Sequence, residues 1–365
     1  MIKYLSLSIF LSNASALYPM QLTIQDLTLD QKIGQLFMVA AVAHGKTADN
    51  CIQKKSYRMD KNYIKELICT YHVGGIIFLR RSNAKKQIRR TEKFQSISAI
   101  PLLIGQDLEP GRVGAARFSD FIYFPSNQTL GTINNDEYTR FIGHAIGEIC
   151  AELGVHINFA PVADVNSNPD NPVINDRSFS NDPDKVAHNA FNFALGLHDA
   201  GIIACAKHFP GHGDTTIDSH YGLPVIAHEK ERLDTIELYP FKKLIAAEIP
   251  AIMIGHLVVP ELETQKNLPA TLSKAIITDF LQKELGFKGL IITDALDMHA
   301  ITNHYTDGQA ELQALLAGND ILLCPVDLPA AITAIKQAIV DRIITEKEID
   351  AHVEKILHIK QFIFN

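Results

Sequence analysis

Residues 201–220 read Gly201-Ile-Ile-Ala-Cys-Ala-Lys207-His-Phe-Pro-Gly-His-Gly-Asp-Thr-Thr-Ile-Asp-Ser-His220. The opening run, through Ala206, is apolar with no polar alternation, the pattern of a strand buried on both faces. From Lys207 the character reverses: three histidines, two aspartates, a lysine and two glycines fall within fourteen residues. Little of that composition packs as core. The second part is therefore read as an irregular loop carrying proton-transfer groups at the end of a buried strand.

The same unit recurs along the chain. Short β-type runs fall at residues 36–40, 75–79, 102–106, 156–160, 202–206, 251–255, 290–293 and 321–324, each followed by a helix-compatible segment. Such alternation predicts an α/β protein whose parallel strands close into a (β/α)8 TIM-type barrel. A doubly wound open sheet is the alternative, but no Gly-x-Gly-x-x-Gly fingerprint follows the early strands. Near the C-terminus, Thr345 and Glu348 form a capping box. Ile349, Val353, Ile356 and Leu357 then line one face of a closing helix that runs to Phe362. No Pro/Gly/Ser-rich linker divides the chain, so residues 17–365 read as a single domain behind a short leader.

Lys and Arg number 34 against 41 Asp and Glu, and the formal charge of −7 gives no electrostatic reason to expect nucleic acid as a partner. One basic patch, Lys85, Lys86, Arg89 and Arg90, falls at helical spacing and reads as a solvated helix face. The cysteines at 51, 69, 150, 205 and 324 are widely spread, lack a Cys-x-x-Cys pair, and read as buried free thiols. At the N-terminus, Lys3 precedes an apolar stretch over residues 4–11, and Ala14-Ser-Ala16 has the form of a cleavage site. Residues 1–16 thus read as a secretory signal, which makes the chain periplasmic or secreted. As a disordered leader they would leave it cytoplasmic. No later segment is long and apolar enough to span a bilayer.

In a closed barrel, active groups gather at the C-terminal ends of the strands. That rim would carry Asp107 after the third strand, Asp164 after the fourth and Lys207 with His208 after the fifth. His256 would follow the sixth and Asp294 the seventh. Taken in isolation Asp294 reads as a helix N-cap sooner than as a nucleophile, base or electrostatic stabiliser, and the loop beginning at Lys207 shifts that balance. Asp218 and His220 suit a dyad in which the carboxylate fixes the imidazole tautomer and leaves the other ring nitrogen for proton transfer. A metal site built from His208, His212, His220 and an aspartate competes with this, although the spacing matches no standard zinc helix motif.

Three segments together resemble glycoside hydrolase family 3, specifically its short single-domain β-N-acetylhexosaminidases. They are Lys207 to Thr215 with Asp218-Ser-His220, Gly286 to Asp294 with Met298, and Asn158 to Asp164 with Asp176-Arg-Ser-Phe179. The resemblance runs from about Thr28 to the C-terminus. It implies that Asp294 is a nucleophile forming a covalent glycosyl-enzyme, His220 the acid/base and Asp218 its dyad partner. It further implies that Lys207, His208 and Arg177 hold the sugar's hydroxyl and N-acetyl groups, and that Asp107 binds hydroxyls. The family's Asp-x-Glu-Gly-Gly-Arg segment corresponds to Asp107-Leu-Glu-Pro-Gly-Arg112, where Pro110 replaces a glycine and redirects the loop. The family arginine that follows is matched to Arg117, with Arg112 as the competitor.

What the resemblance implies is a retaining exo-β-N-acetylhexosaminidase that releases terminal β-linked N-acetylglucosamine from peptidoglycan fragments or chitin oligosaccharides. The expected partner is a small carbohydrate, with no metal or other cofactor and a monomeric chain. The sequence ends soon after its eighth strand, so the proton donor is expected from the barrel. Absence of Trp leans towards a small pocket for one terminal sugar. The alternatives are a family 3 β-glucosidase, a phosphorolytic β-N-acetylglucosaminidase, a catalytically silent sugar-binding protein and a metallohydrolase.

Overall fold

The structure is a computed structural model, and it describes residues 22–41, 59–79, 83–111, 123–219, 222–306 and 308–365. The strands are β1 Phe37–Ala40, β2 Gly75–Ile77, β3 Leu103–Gln106 and β4 Ile157–Asn158. They continue as β5 Ile203–Phe209, β6 Ala251–Ile254, β7 Leu290–Thr293 and β8 Leu322–Leu323. Neighbours pair in parallel in chain order, and β1 returns to β8. Between β7 and β8, an Ile292–Ile321 bridge and the Thr293 N–H to Ile321 carbonyl bond bring the ends of the sheet together. This is the predicted (β/α)8 barrel, with all eight strands where the apolar runs stand.

The strands are buried along their whole length, so they read as apolar runs rather than alternating ones. Helices cover the outside. Asp136–Leu153 starts from Asn135, whose side chain accepts the Tyr138 N–H, and Pro183–Asp199 starts from Asp182, with proline in its first turn. The basic patch lies on the helix Ala84–Ile97, with Lys85, Lys86 and Arg89 exposed. Cys150, Cys205 and Cys324 are buried thiols, whereas Cys69 is exposed, contrary to the uniform reading of the cysteines. Cys51 and the leader lie outside the described residues. Among the described residues no helix is long and apolar enough to cross a membrane.

The last helix, Glu346–Phe364, begins at the predicted Thr345 capping box and passes beneath the N-terminal ends of the strands. Its Lys360 amine donates to Gln35 Oε1, and Gln35 Nε2 donates to the His72 carbonyl at 2.7 Å. His156, just before β4, accepts the Ile104 N–H at 3.1 Å and meets the Phe364 ring edge-on. Buried Asp320 takes His352 Nδ1 at 2.8 Å, Lys355 Nζ at 3.0 Å and the Ile291 N–H at 2.9 Å. The floor is closed by paired polar groups, and the chemistry-bearing loops are left to the other end.

Candidate active site

β5 does not stop at Ala206. It continues through Lys207 and His208 to Phe209, and the Lys207–His208 peptide is cis. The reading of Lys207 onward as irregular loop is thereby corrected. Lys207, His208, His212, Thr215 and Ser219 are all buried, because their polar atoms find partners within the barrel mouth.

Glu109 is the hub of that mouth. Asn158 at the end of β4 holds the Leu108 N–H at 2.9 Å and its carbonyl at 3.0 Å, which fixes the turn carrying Asp107 and Glu109. Arg177 grips Glu109 with a two-pronged contact, Nε to Oε2 at 3.0 Å and Nη2 to Oε1 at 2.9 Å. Lys207 Nζ lies 2.6 Å from Glu109 Oε1 and 2.8 Å from Asp107 Oδ1. Burial by itself would raise the Glu109 carboxyl, but Arg177 and Lys207 outweigh it and hold the group far below the usual carboxylate range. Burial by itself would lower the Lys207 amine, but Asp107 and Glu109 hold it above its ordinary value. Arg177, likewise, is kept charged against burial by Glu109. Asp107 is the partly open member, its side chain 23% exposed, and is the group of this network best placed to meet a ligand hydroxyl.

A second cluster stands beside it. Asp164, wholly buried, accepts the His208 N–H at 3.1 Å, His208 Nδ1 at 2.7 Å and the His212 N–H at 2.7 Å. Burial would raise its carboxyl, yet the two histidines bring it below its ordinary value. A carboxylate at Nδ1 assigns the His208 proton to that nitrogen and turns Nε2 the other way. His212 is pushed down to about 4, first by burial and then by His208, so it is a neutral ring at pH 7. Its Nδ1 meets Thr215 Oγ1 at 2.7 Å and its Nε2 meets Ser219 Oγ at 3.4 Å. Among the described residues no group of three or more His, Cys, Asp or Glu side chains is arranged to hold a metal ion.

Asp294 closes β7. Its N–H donates to the Ile254 carbonyl at 2.9 Å, and its Oδ1 accepts the Ala295 N–H at 2.8 Å. The N-cap alternative falls away, since the next helix, His299–Thr302, is capped at Met298. His256 is buried behind it, with Nε2 2.9 Å from the Ala295 carbonyl and Nδ1 2.7 Å from Thr271 Oγ1. The charge of Asp294 is felt by His212, and together with those of Lys207 and Asp107 it is felt by the Cys205 thiol inside β5. Groups separated by up to 187 positions in sequence, from Asp107 to Asp294, therefore share one electrostatic neighbourhood.

The loop after β5 is bolted down at its base and along its return. Asp214 is held by His228 Nε2, by Ser167 Oγ at 3.2 Å and by Arg232 Nη2 at 3.5 Å. Asn171 Nδ2 binds the His212 carbonyl at 2.8 Å and Thr215 Oγ1 at 3.2 Å. A Cβ at Gly213 would stand 1.7 Å from the Val165 carbonyl oxygen, so only glycine permits the loop to lie against the β4 loop. Further on, the Ser219 carbonyl accepts the Ala300 N–H at 3.2 Å, and the Asp218 carbonyl accepts the Gly222 N–H at 3.1 Å. The segment carrying Asp218 and Ser219 is thus tied to the short helix His299–Thr302 that follows Asp294. His220, Arg112 and Arg117 lie outside the described residues.

Of the predicted site residues, Lys207 and Arg177 meet at one carboxylate, Glu109, that sequence reasoning had not singled out, and Asp107 joins them through Lys207. Glu109 stood in the quoted Asp107-Leu-Glu109 segment, and the need of two buried cations for an anion was the available signal. Asp164 had been placed at the rim without a role and proves to be the partner of His208. Asp214, His228 and Arg232 gave no signal as a set.

Comparison with known proteins gives the chain a family. The domain described as "Glycosyl hydrolase family 3 N terminal domain" matches residues 28–359, and the chain belongs to that family. A protein named beta-hexosaminidase A from Pseudoalteromonas piscicida is 38% identical over 283 residues, which is 72% of this chain and 47% of that one. A solved family 3 beta-N-acetylglucosaminidase from Paenibacillus sp. str. FPU-7 superposes with a TM-score of 0.84 at 38% identity, covering 92% of this chain and 62% of that one. LpqI of Mycobacterium tuberculosis superposes with a TM-score of 0.80 at 30% identity, covering 92% of this chain and 94% of that one. The chain spans about half the length of the first of these relatives.

Proposed function

We propose that the protein is a retaining exo-β-N-acetylhexosaminidase that releases terminal β-linked N-acetylglucosamine from small glycans. In this reading a carboxylate oxygen of Asp294 attacks the anomeric carbon and the glycosidic C–O bond breaks. His220, oriented by Asp218, gives a proton to the departing oxygen. His220 then takes a proton from the water that cleaves the Asp294–sugar ester, and two inversions restore the original configuration. Asp107, Lys207, Arg177 and His208 hold the sugar, with Glu109 and Asp164 fixing the last three from behind. Arg117 is kept as a further hydroxyl ligand from the β3 loop.

One observation carries the reading. Asp294 closes β7 within the electrostatic reach of His212, and the carbonyl of Ser219, the neighbour of His220, accepts the N–H of Ala300 in the short helix that follows Asp294. A nucleophile and a histidine-bearing loop tied to the same strand end suit double displacement. The names of the family relatives support the acetamido sugar.

Two measurements test it. Aryl β-N-acetylglucosaminide is expected to be cleaved at least about tenfold faster than aryl β-glucoside, and the reverse order would move the assignment to a glucosidase. His220→Ala is expected to lose about 10²–10⁴-fold on substrates with poor leaving groups and far less on activated aryl glycosides. Equal loss on both removes His220 from the acid role.

A further inference from the structure

His256, just past the end of β6, is the rim histidine to which the reaction above gives no task. It is wholly buried and presents no surface to a ligand. Its Nε2 lies 2.9 Å from the Ala295 carbonyl and its Nδ1 2.7 Å from Thr271 Oγ1. A carbonyl oxygen only accepts, so the ring proton sits on Nε2. The surrounding bonds agree with that tautomer. The Thr271 hydroxyl also lies 3.0 Å from the Gly255 carbonyl and 3.4 Å from that of Ile254. Those two carbonyls already accept the N–H groups of Leu257 and Asp294, each at 2.9 Å. The hydroxyl proton is therefore available to Nδ1, and a neutral ring satisfies both of its nitrogens. Thr271 is itself held in place, its carbonyl accepting Asn319 Nδ2 at 2.9 Å.

What the ring holds is the residue next to Asp294. The peptide joining Ala295 to Leu296 is gripped at both polar ends. His256 Nε2 takes its carbonyl, and the Leu323 carbonyl of β8 takes its N–H at 2.9 Å. On the other side, the Asp294 N–H is bonded to the Ile254 carbonyl of β6. The peptide joining Asp294 to Ala295 hangs between these two anchors, and its N–H donates to Asp294 Oδ1 at 2.8 Å. Releasing the Ala295 carbonyl would let that peptide turn and carry the carboxylate with it. A misplacement of about 1 Å at a reacting group can lower a rate about 10²-fold.

We infer that His256 is a positioning residue for the nucleophile: by holding the Ala295 carbonyl through Nε2–H, it keeps the Ala295 N–H on Asp294 Oδ1 and so aims the carboxylate. It touches neither the sugar nor the reacting atoms. The inference rests on the reading of Asp294 as nucleophile, and it adds the group that sets that side chain's direction.

Two amide replacements separate this role from ordinary packing of a buried ring. His256→Gln places an N–H near the position of Nε2 and can still donate to Ala295, whereas the shorter His256→Asn reaches only towards Thr271. On aryl N-acetylglucosaminide, kcat/KM is expected to fall about 10²-fold in His256→Asn and no more than about fivefold in His256→Gln. The dissociation constant of N-acetylglucosamine should stay within about twofold in both. Equal losses in the two variants, or a parallel loss of sugar affinity, would overturn the proposal. Formate, added as an external nucleophile, separates it from a failure of the hydrolase reading. Asp294→Ala supplied with formate has no carboxylate left to aim, so adding His256→Asn should change its rate less than about twofold. A further loss of about 10²-fold there would show that His256 acts on something other than Asp294. Parent-like turnover by Asp294→Ala without formate would defeat the nucleophile assignment itself, and the proposal with it. Should His256→Asn fail to fold, heteronuclear NMR of the histidine-labelled parent decides. The His256 ring should carry its proton on Nε2, and a ring protonated on Nδ1 alone would overturn the proposal.

Discussion

Lys207 at the C-terminal rim and Lys360 beneath the N-terminal floor are both buried, at 2% and 0% exposure. Burial disfavours the charged form of each. At the rim, Asp107 and Glu109 reverse that effect and Lys207 is held above its ordinary value. On the floor, Lys360 has an amide partner in Gln35 and is pushed down to about 7 by burial. Arg177, Glu109, Lys207 and Asp107 form a charge-balanced set that keeps fixed charges facing the mouth. The floor tolerates a lysine close to neutrality because its task is packing. Two ends of one barrel thus shift the same residue in opposite directions, upward where carboxylates face it and downward where an amide does.

Predictions that break or sharpen this contrast follow in order of effect on activity. Asp294→Ala is expected to lower turnover about 10⁴-fold or more on every glycoside, with the thermal melt nearly unchanged. Glu109→Gln leaves Lys207 and Arg177 short of an anion. It should cost about 2–4 kcal/mol in urea unfolding and about 10²-fold in kcat/KM. An active, fully stable Glu109→Gln would mean that the rim network is not held by that carboxylate. Asp214→Asn gives up the charge that His228 and Arg232 grip. It should lower kcat on oligosaccharides about tenfold by loosening the β5 loop, with a much smaller effect on stability.

Lys360→Met should leave kcat within about twofold and change only how stability depends on pH. The folded pKa of Lys360, about 7, lies below the roughly 10.4 of an unfolded lysine. Between those values the unfolded chain binds more protons than the folded one, so the stability of the parent rises with pH across that window. Below about pH 7 both states are protonated and the burial cost is felt in full. The methionine variant removes the rise, and relative to the parent it is more favourable at pH 6 than at pH 9, by about 1–3 kcal/mol. Denaturant melts at the two pH values measure it, and parallel shifts would show that Lys360 does not titrate in the folded protein.

Most of the fold was legible because both-face burial writes strands as uninterrupted apolar runs, such as Ile203 to Ala206. The end of β5 was not legible. Lys207 and His208 look like loop residues until Glu109, Asp107 and Asp164, from the two preceding strand ends, supply their partners. Asp294 was ambiguous for a related reason, since one carboxylate after a strand is as often a cap, and only the Met298 cap of the next helix decided it. The β5 loop's anchors were hidden by distance. Asp214 is held by Ser167 on one side and by His228 and Arg232 on the other, and no local spacing relates the three. Composition marked which segments carried chemistry, and long-range pairing decided which side chains were braces.

The most direct test is where the sugar is attached. Brief reaction with a slowly turned-over fluorinated β-N-acetylglucosaminide, then intact-mass measurement and peptide mapping, should find one N-acetylglucosaminyl-type adduct on the peptide containing Asp294, and none in Asp294→Ala. An adduct on another carboxylate, Asp107 or Glu109 included, or rapid turnover by Asp294→Ala, would contradict the account.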